Sequence, residues 1–113
     1  MTDMHWIFSY GTLRQPEVQR ELFGRALEAQ DDILTGFRIG MVAISNPEVV
    51  RLSGSSEHPG LVRTNDSQDR VEGQALAVTA TELAAADAYE AADYVRAPVT
   101  LESGRQAFVY LTR

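Results

Sequence analysis

The sequence predicts an α+β fold, namely a small, mixed, mainly antiparallel β-barrel with two short helices. Strand-like segments outnumber helical ones by about three to one and follow one another in runs, whereas a doubly wound nucleotide-binding fold alternates strands with helices. The chain has 113 residues, and 44% of them are hydrophobic. This length and composition are typical of one globular domain, so a single domain over residues 1–113 is expected.

The first part of the chain predicts a strand, a turn and a helix. His5–Tyr10 is rich in aromatic and β-branched residues, and Gly11 ends the run. A short helix is expected over Pro16–Phe23, because Pro16 suits a first helical turn and Gly24 marks a helix end.

The middle of the chain predicts further strands and two loops. Two or three strands are expected between residues 26 and 51. Their apolar segments are Ile33-Leu34, Phe37–Ile39 and Met41–Ile44. Turn-forming residues are concentrated in Ser53–Gly60 and polar residues in Thr64–Arg70, so both stretches are predicted to be loops. They flank a short Leu61-Val62 segment.

The last part of the chain predicts a strand, a second helix and a hairpin. The strands are expected over Val71–Val78, Val95–Leu101 and Gln106–Leu111. Thr79 as N-cap and Glu82 three residues later form a capping-box signature, and this helix is expected to end near Ala91 or Ala92. The loop between the last two strands contains Gly104, which suits a hairpin.

Charge and cysteine content argue against several classes of function. A net charge of −6 disfavours binding to nucleic acid and to anionic lipid. Because the chain has no cysteine, disulfides, thiolate zinc sites and thiol nucleophiles are excluded. Uncharged stretches such as Ile39–Pro47 are far too short to span a bilayer, and Met1–His5 does not resemble the start of a signal peptide. A cytoplasmic protein with no membrane partner is therefore expected.

The histidines do not predict a metal site or a catalytic triad. His5 opens a strand and His58 lies in the turn-rich cluster, so their spacing is not that of a metal-binding pair. Ser9 lies within a strand rather than on a nucleophile elbow, so a Ser-His-Asp triad has little support.

Glu90 is the first candidate for chemistry, because it shares a helix face with Leu83. On an ideal helix the two lie about 20° apart, and Ala86 and Asp87 belong to the same face. Burial and the negative end of the helix dipole would both raise the pKa of such a carboxyl group toward the range of a general acid or base. Alternatively, Glu90 is partly exposed and paired with Arg96 or another cation, and Asp87 has a supporting or capping role.

The turn Tyr10-Gly11-Thr12-Leu13 is the second candidate. A glycine turn that leads from a strand toward a helix leaves backbone N–H groups unpaired, and these can bind a carboxylate or a developing oxyanion. Arg14 would add positive charge. The alternative is that Gly11 simply ends the strand.

Five short segments, in this order over nearly the whole chain, carry a family resemblance. They are Phe8–Leu13, His58–Val62, Val71–Gln74, Asp87–Glu90 and Tyr94–Arg96. They resemble, in turn, the Y-G-[ST]-L, aromatic-Pro-Gly-Leu, V-x-G-x, D-x-x-E and Y-x-R patterns of the γ-glutamylcyclotransferase-like superfamily, which includes the AIG2-like proteins. Two positions depart from these patterns. The family usually has glycine where this chain has Ala91, and an aromatic residue where it has His58.

The resemblance implies a small mixed α/β barrel and a reaction that releases 5-oxoproline from a γ-glutamyl compound without cofactor or metal. By position it implies that Glu90 is the acid/base. The implied substrate loop is Tyr10, Gly11, Thr12 and Leu13. Tyr94 and Tyr110 are further candidates for the cavity lining, and each equally fits a core position. The leading hypothesis is an enzyme acting on a small γ-glutamyl amide or γ-glutamylamine, and the alternative is a non-catalytic domain that binds a metabolite or a partner protein.

Overall fold

The structure is a computed structural model that describes residues 4–43 and 57–112. Its strands are β1 (Met4–Ser9), β2 (Ala29–Thr35), β3 (Phe37–Ala43), β4 (Glu57–Arg63), β5 (Arg70–Thr79), β6 (Tyr94–Thr100) and β7 (Gln106–Thr112). The α-helices are α1 (Pro16–Phe23) and α2 (Ala80–Glu90), and a 3₁₀ turn covers Thr12–Arg14.

Five strands form one mixed sheet in the order β2-β5-β1-β7-β6, and β3 pairs with β4 in a second, two-stranded sheet. β1 is parallel to β7, and the other pairs are antiparallel. The predicted α+β class, with a mixed, mainly antiparallel sheet and two helices, is confirmed. β2 and β6 are the edges of the larger sheet, so the described strands do not form a closed hydrogen-bonded ring.

The two sides of the open sheet meet at one corner, which we call the corner contact. There the Glu102 N–H donates to the Ile33 carbonyl oxygen at 2.8 Å. Beside it, buried Asp32 accepts hydrogen bonds from Ser103 Oγ at 2.6 Å and Arg105 Nη1 at 2.9 Å. Burial alone would raise the pKa of Asp32, but hydrogen bonds from Ser103 and Ile33 and the charge of Arg105 hold it below its ordinary value.

Both faces of the large sheet are buried. The alternation along β1 directs Ile7 to the face covered by the helices and Phe8 to the face covered by β3 and β4. Leu83 and Ala86 bring α2 onto the first of these faces. A large apolar side chain buried in this way contributes about 1.5–3 kcal/mol, so α2 is held mainly by its packing.

Both helices begin where the sequence predicts. α1 covers Pro16–Phe23 and is closed by Gly24 at φ 79°. At the start of α2, Thr79 Oγ1 accepts from the Glu82 N–H at 3.1 Å, and Glu82 Oε1 accepts from the Thr79 N–H at 2.9 Å. Arg25 also donates two hydrogen bonds of 2.8 Å to the Glu82 carboxylate. The start of α2 is therefore fixed both by its capping box and by an ion pair to the segment after α1.

The predicted loop over residues 53–60 is wrong for its second half. Glu57–Gly60 belongs to β4, and residues 53–56 lie outside the described residues. Pro59 pairs with Met41 and Gly60 with Gly40, so β3 runs through the glycine that separates the predicted segments Phe37–Ile39 and Met41–Ile44. Pairing between distant segments outweighs local turn preference here, and β4 tolerates proline because it pairs with β3 alone in its two-stranded sheet.

Gly73 lies where β5 passes close to the end of β1. A Cβ atom at this position would overlap the Ser9 carbonyl oxygen and come within 2.8 Å of Phe8 Cζ. Because the first of these atoms is backbone, the overlap cannot be relieved by a rotamer change. The spacing of the two strands therefore requires glycine at position 73.

We expect Gly73→Ala to lower the free energy of unfolding by roughly 1–3 kcal/mol, the usual cost of overpacking. Glu72→Ala is the matched control, because it changes an exposed side chain at the neighbouring position of β5. Urea denaturation of both variants measures the difference. Equal stability of the two variants would contradict the close approach of β1 and β5.

Candidate active site

Three tyrosines and the last residue of α2 come together at one end of the strands of the large sheet. β1 and β7 are parallel and finish at this end of the sheet, where β6 begins. Tyr10 follows β1, Tyr110 lies near the end of β7, and Tyr94 is the first residue of β6. α2 starts at the opposite end of the strands, and its 11 residues cover about 16 Å, which brings Glu90 back toward the tyrosines. Burial raises the pKa of all three tyrosines, and the charge of Glu90 adds a smaller contribution to each.

Glu90 is half-buried at the end of the helix face that carries Leu83 and Ala86. Burial, followed by the negative charge of Asp93, raises the pKa of its carboxyl group from 4.5 to about 7. The position at a helix C-terminus disfavours the ionised form further. Glu90 is thus a carboxyl group that can both accept and release a proton near neutral pH.

The cation that the sequence suggested as a partner for Glu90 pairs with Asp87 instead. Arg96 Nη1 lies 3.3 Å from Asp87 Oδ2, and Tyr110 Oη donates to Asp87 Oδ1 at 2.8 Å. Burial, followed by this hydrogen bond, raises the pKa of Tyr110. Asp87 therefore has the supporting role of the two alternatives, because it joins α2 to β6 and β7.

Tyr10 and Tyr94 are neutral phenols that lie close to Glu90. Burial, with smaller contributions from Tyr94 and Glu90, raises the pKa of Tyr10 to about 12. Burial, Glu90 and Asp93 likewise raise the pKa of Tyr94. Both side chains therefore keep their proton at neutral pH and can donate it in a hydrogen bond.

The predicted substrate loop forms a 3₁₀ turn after Gly11. The Arg14 N–H donates to the Gly11 carbonyl at 3.1 Å, and the Gln15 N–H donates to the Thr12 carbonyl at 2.9 Å. The N–H groups of Thr12 and Leu13 precede the first of these bonds, so the turn itself does not use them. The Leu13 side chain is buried in the core under the helices, so what this residue offers a ligand is its backbone.

Gln19 holds this turn in place, and the sequence did not single it out. Its Nε2 donates to the Leu13 carbonyl at 2.7 Å, and its Oε1 accepts from the Leu27 N–H at 2.9 Å. The side chain is almost fully buried. The available signal was a polar residue three positions before Leu22, on the face of α1 that packs on the core.

An open groove of about 1020 Å³ lies on the other side of the turn. Gly11 and Thr12 line it together with residues of β2 and β5 that include Asp31, Glu72 and Gln74. Glu90 and the three tyrosines are not among its lining residues. The carboxyl group suited to proton transfer therefore lies outside the groove, and we take the cluster around Glu90 as the candidate active site.

Ala91 replaces the glycine that the resemblance suggested after Glu90. It caps α2 in the right-handed helical conformation, with φ −56° and ψ −30°. Any L-amino acid adopts this conformation, so the helix end that carries Glu90 does not require glycine.

Over residues 4–43 and 57–112, no group of three histidine or acidic side chains is arranged to bind a metal ion. Neither of the described helices is sufficiently long and apolar to cross a membrane.

We expect Glu90→Gln to stabilise the protein at pH 8 but not at pH 4. The unfolded chain loses the Glu90 proton near pH 4.5 and the folded protein near pH 7, so wild-type stability falls as the pH rises between these values. The full penalty is up to about 3 kcal/mol, and glutamine avoids it. Thermal unfolding of both proteins from pH 4 to pH 8 measures the effect. Glu17→Gln on exposed α1 is the control, and a pH-independent difference between Glu90→Gln and wild type would refute this prediction.

Gln19→Met is expected to lower the free energy of unfolding by about 2 kcal/mol, because the buried Leu13 carbonyl and Leu27 N–H lose their partner at nearly constant side-chain volume. Chemical denaturation tests this, with Gln30→Met on the exposed part of β2 as control. If Gln19→Met is as stable as the wild type, the two hydrogen bonds of Gln19 do not contribute to stability.

Comparison with solved structures finds three similar folds. The solution structure of an Arabidopsis thaliana protein has a TM-score of 0.75 and 22% identity, over 99% of this chain and 65% of that one. A second Arabidopsis thaliana solution structure has a TM-score of 0.73 and 24% identity, over 96% and 68%. The crystal structure of an uncharacterized Homo sapiens protein has a TM-score of 0.70 and 16% identity, over 97% and 67%. The chain thus spans about two thirds of the length of these proteins, and the likeness is one of fold.

No curated protein matches the sequence. The family model described as "Gamma-glutamyl cyclotransferase, AIG2-like" matches residues 7–113, which is nearly the whole chain. The matched range contains the Tyr10–Leu13 turn, Glu90 and Tyr94. The chain therefore belongs to the gamma-glutamyl cyclotransferase, AIG2-like family.

Proposed function

We propose that this protein is a cofactor-free γ-glutamylcyclotransferase-type enzyme that releases 5-oxoproline from a small γ-glutamyl amide or γ-glutamylamine. The observation that carries the proposal is Glu90, a half-buried carboxyl group whose pKa is raised to about 7. Membership of the family supports the reaction type. A single domain acting in the cytoplasm stays a prediction from the sequence.

The reaction is an intramolecular aminolysis. The substrate's α-amino nitrogen attacks its own γ-carbonyl carbon, a new C–N bond closes the five-membered lactam, and the original amide C–N bond breaks. The nucleophile is tethered to the electrophile, so correct positioning alone supplies up to about 7–11 kcal/mol of the barrier. The enzyme must fold the substrate, move protons and stabilise the oxyanion.

Glu90 is suited to move the proton. In its ionised form it accepts a proton from the attacking α-amino group, and in its protonated form it gives that proton to the departing amine. A pKa near the working pH balances these two tasks, because both forms are then populated. Glu90 returns to its starting state at the end of the cycle, and no water is consumed.

Two tyrosines and the turn after Tyr10 supply hydrogen-bond donors for the substrate. The neutral phenols of Tyr10 and Tyr94 are hydrogen-bond donors beside the carboxyl group. The N–H groups of Thr12 and Leu13 are donors for the tetrahedral oxyanion or for the substrate's α-carboxylate. Gln19 fixes the carbonyl of Leu13, in the peptide group that follows these two N–H groups.

We expect Glu90→Gln to reduce 5-oxoproline release by roughly 10²–10⁴-fold, because glutamine cannot accept the proton. In the wild type, kcat/KM should rise with pH through a limb near 7, as Glu90 ionises. Both are measured by 5-oxoproline release across γ-glutamyl amino acids, γ-glutamyl amines and glutathione, with Glu17→Gln as the matched control.

Turnover by Glu90→Gln at the wild-type rate would refute the assigned role. If 5-oxoproline or a γ-glutamyl analogue raises the melting temperature but no compound in the panel is turned over, the protein is a non-catalytic binding domain. Circular dichroism of each variant establishes that a loss of activity is not a loss of fold.

A further inference from the structure

Asp87 holds a cation close to the candidate active site. Both of its carboxylate oxygens are occupied, since Tyr110 Oη donates to Oδ1 at 2.8 Å and Arg96 Nη1 lies 3.3 Å from Oδ2. The Arg96 guanidinium carbon also lies 4.7 Å from the centre of the Phe108 ring. Arg96 is therefore held on the helix side of the sheet by a carboxylate and an aromatic face together.

This arrangement matters because Asp87 and Glu90 are three residues apart on α2. Side chains at this spacing are neighbours, with Cβ atoms about 5–6 Å apart. A long arginine side chain that reaches Asp87 can therefore turn to Glu90 instead. A cation about 4–6 Å from a carboxylate lowers its pKa by 1–3 and so weakens it as a base near neutral pH.

We propose that Asp87 is a positioning residue that holds Arg96 away from Glu90 and so preserves Glu90 as an acid/base. This inference rests on the proposed function for the meaning of that role. The side chain of Asp87 does not need to touch the substrate. It acts by offering Arg96 a better partner than Glu90, with Tyr110 fixing the carboxylate in place.

The other groups facing Glu90 do not compensate its charge in the way Arg96 would. Asp93 in the turn after α2 is an acid that raises its pKa. Tyr94 on β6, Tyr10 after β1 and Tyr110 on β7 are phenols whose own pKa values are raised. Arg14 does not face Glu90, because it lines the groove on the other side of the turn and donates through Nε to the Gly11 carbonyl at 3.3 Å. Asp87 thus controls the direction of the Arg96 side chain.

The test uses the isosteric variant Asp87→Asn, whose side-chain oxygen can still accept from Tyr110 but whose lost charge releases Arg96. The carboxylates that Arg96 can then approach are Glu90 and Asp93, and pairing with either favours ionisation of Glu90. We expect the midpoint of the Glu90 side-chain ¹³C NMR titration to fall by about one pH unit. The midpoint of the acidic limb of the kcat/KM profile should move to lower pH by the same amount.

The double variant Asp87→Asn/Arg96→Gln separates this role from a structural one. Without a cation to redirect, the Glu90 titration should return to within about 0.3 pH unit of the wild type, a margin well below the shift expected from the redirected cation. Arg96→Gln alone should leave the titration unchanged or move it to higher pH, because the charge of Asp87 is then uncompensated. If Asp87 only braced α2, activity would fall alike in both Asp87 variants and the titration would not move.

An unchanged Glu90 titration in Asp87→Asn, or the same shift in the double variant, would overturn the proposal. The NMR titration needs no turnover, so it tests Asp87 even if the wild type releases no 5-oxoproline. Failure of the proposed function and failure of this inference are therefore distinguishable. Circular dichroism at each pH establishes that all three variants are folded.

Discussion

Leu83 and Ala86 pack α2 against the sheet, and this contact determines which way the last residue of the helix faces. A helix with two buried residues on one stripe cannot rotate without exposing them, so the residue one turn later on that stripe stays half-buried as well. Glu90 is that residue. The pKa of its carboxyl group is raised mainly by this burial. The packing of Leu83 and Ala86 that causes the burial is favourable with any residue at position 90.

The two ends of α2 contribute to stability with opposite signs. A half-buried carboxylate at a helix C-terminus is unfavourable on both counts, and Asp93 adds repulsion. At the start of α2, by contrast, Glu82 closes the capping box and pairs with Arg25. Such a division is typical of functional sites, where an unfavourable group is supported by ordinary stabilising contacts elsewhere in the fold.

The sequence predicts a feature well when the interacting groups are close to each other along the chain. The helix bounds and the capping box depend on neighbours within a few residues, and the face shared by Leu83 and Glu90 follows from helical period alone. The strand at Glu57–Gly60 was missed because its pairing partner is β3, about twenty residues away along the chain. Gln19 was missed because its two hydrogen bonds join Leu13 and Leu27, and the sequence does not show that these backbone groups lie beside it. The choice of Arg96 between two carboxylates three residues apart depends on side-chain geometry that no pattern encodes.

The corner contact gives the open sheet a response to acid opposite to that of Glu90. Asp32 joins β2 to the loop between β6 and β7 most strongly when it is ionised. Its lowered pKa means that this extra stabilisation of the fold is present above the ordinary titration range of aspartate and is lost on strong acidification. Glu90 opposes folding increasingly as the pH rises from 4.5 to about 7. Together the two carboxyl groups favour maximal stability in mildly acidic solution, on the acid side of the pH at which Glu90 is half ionised.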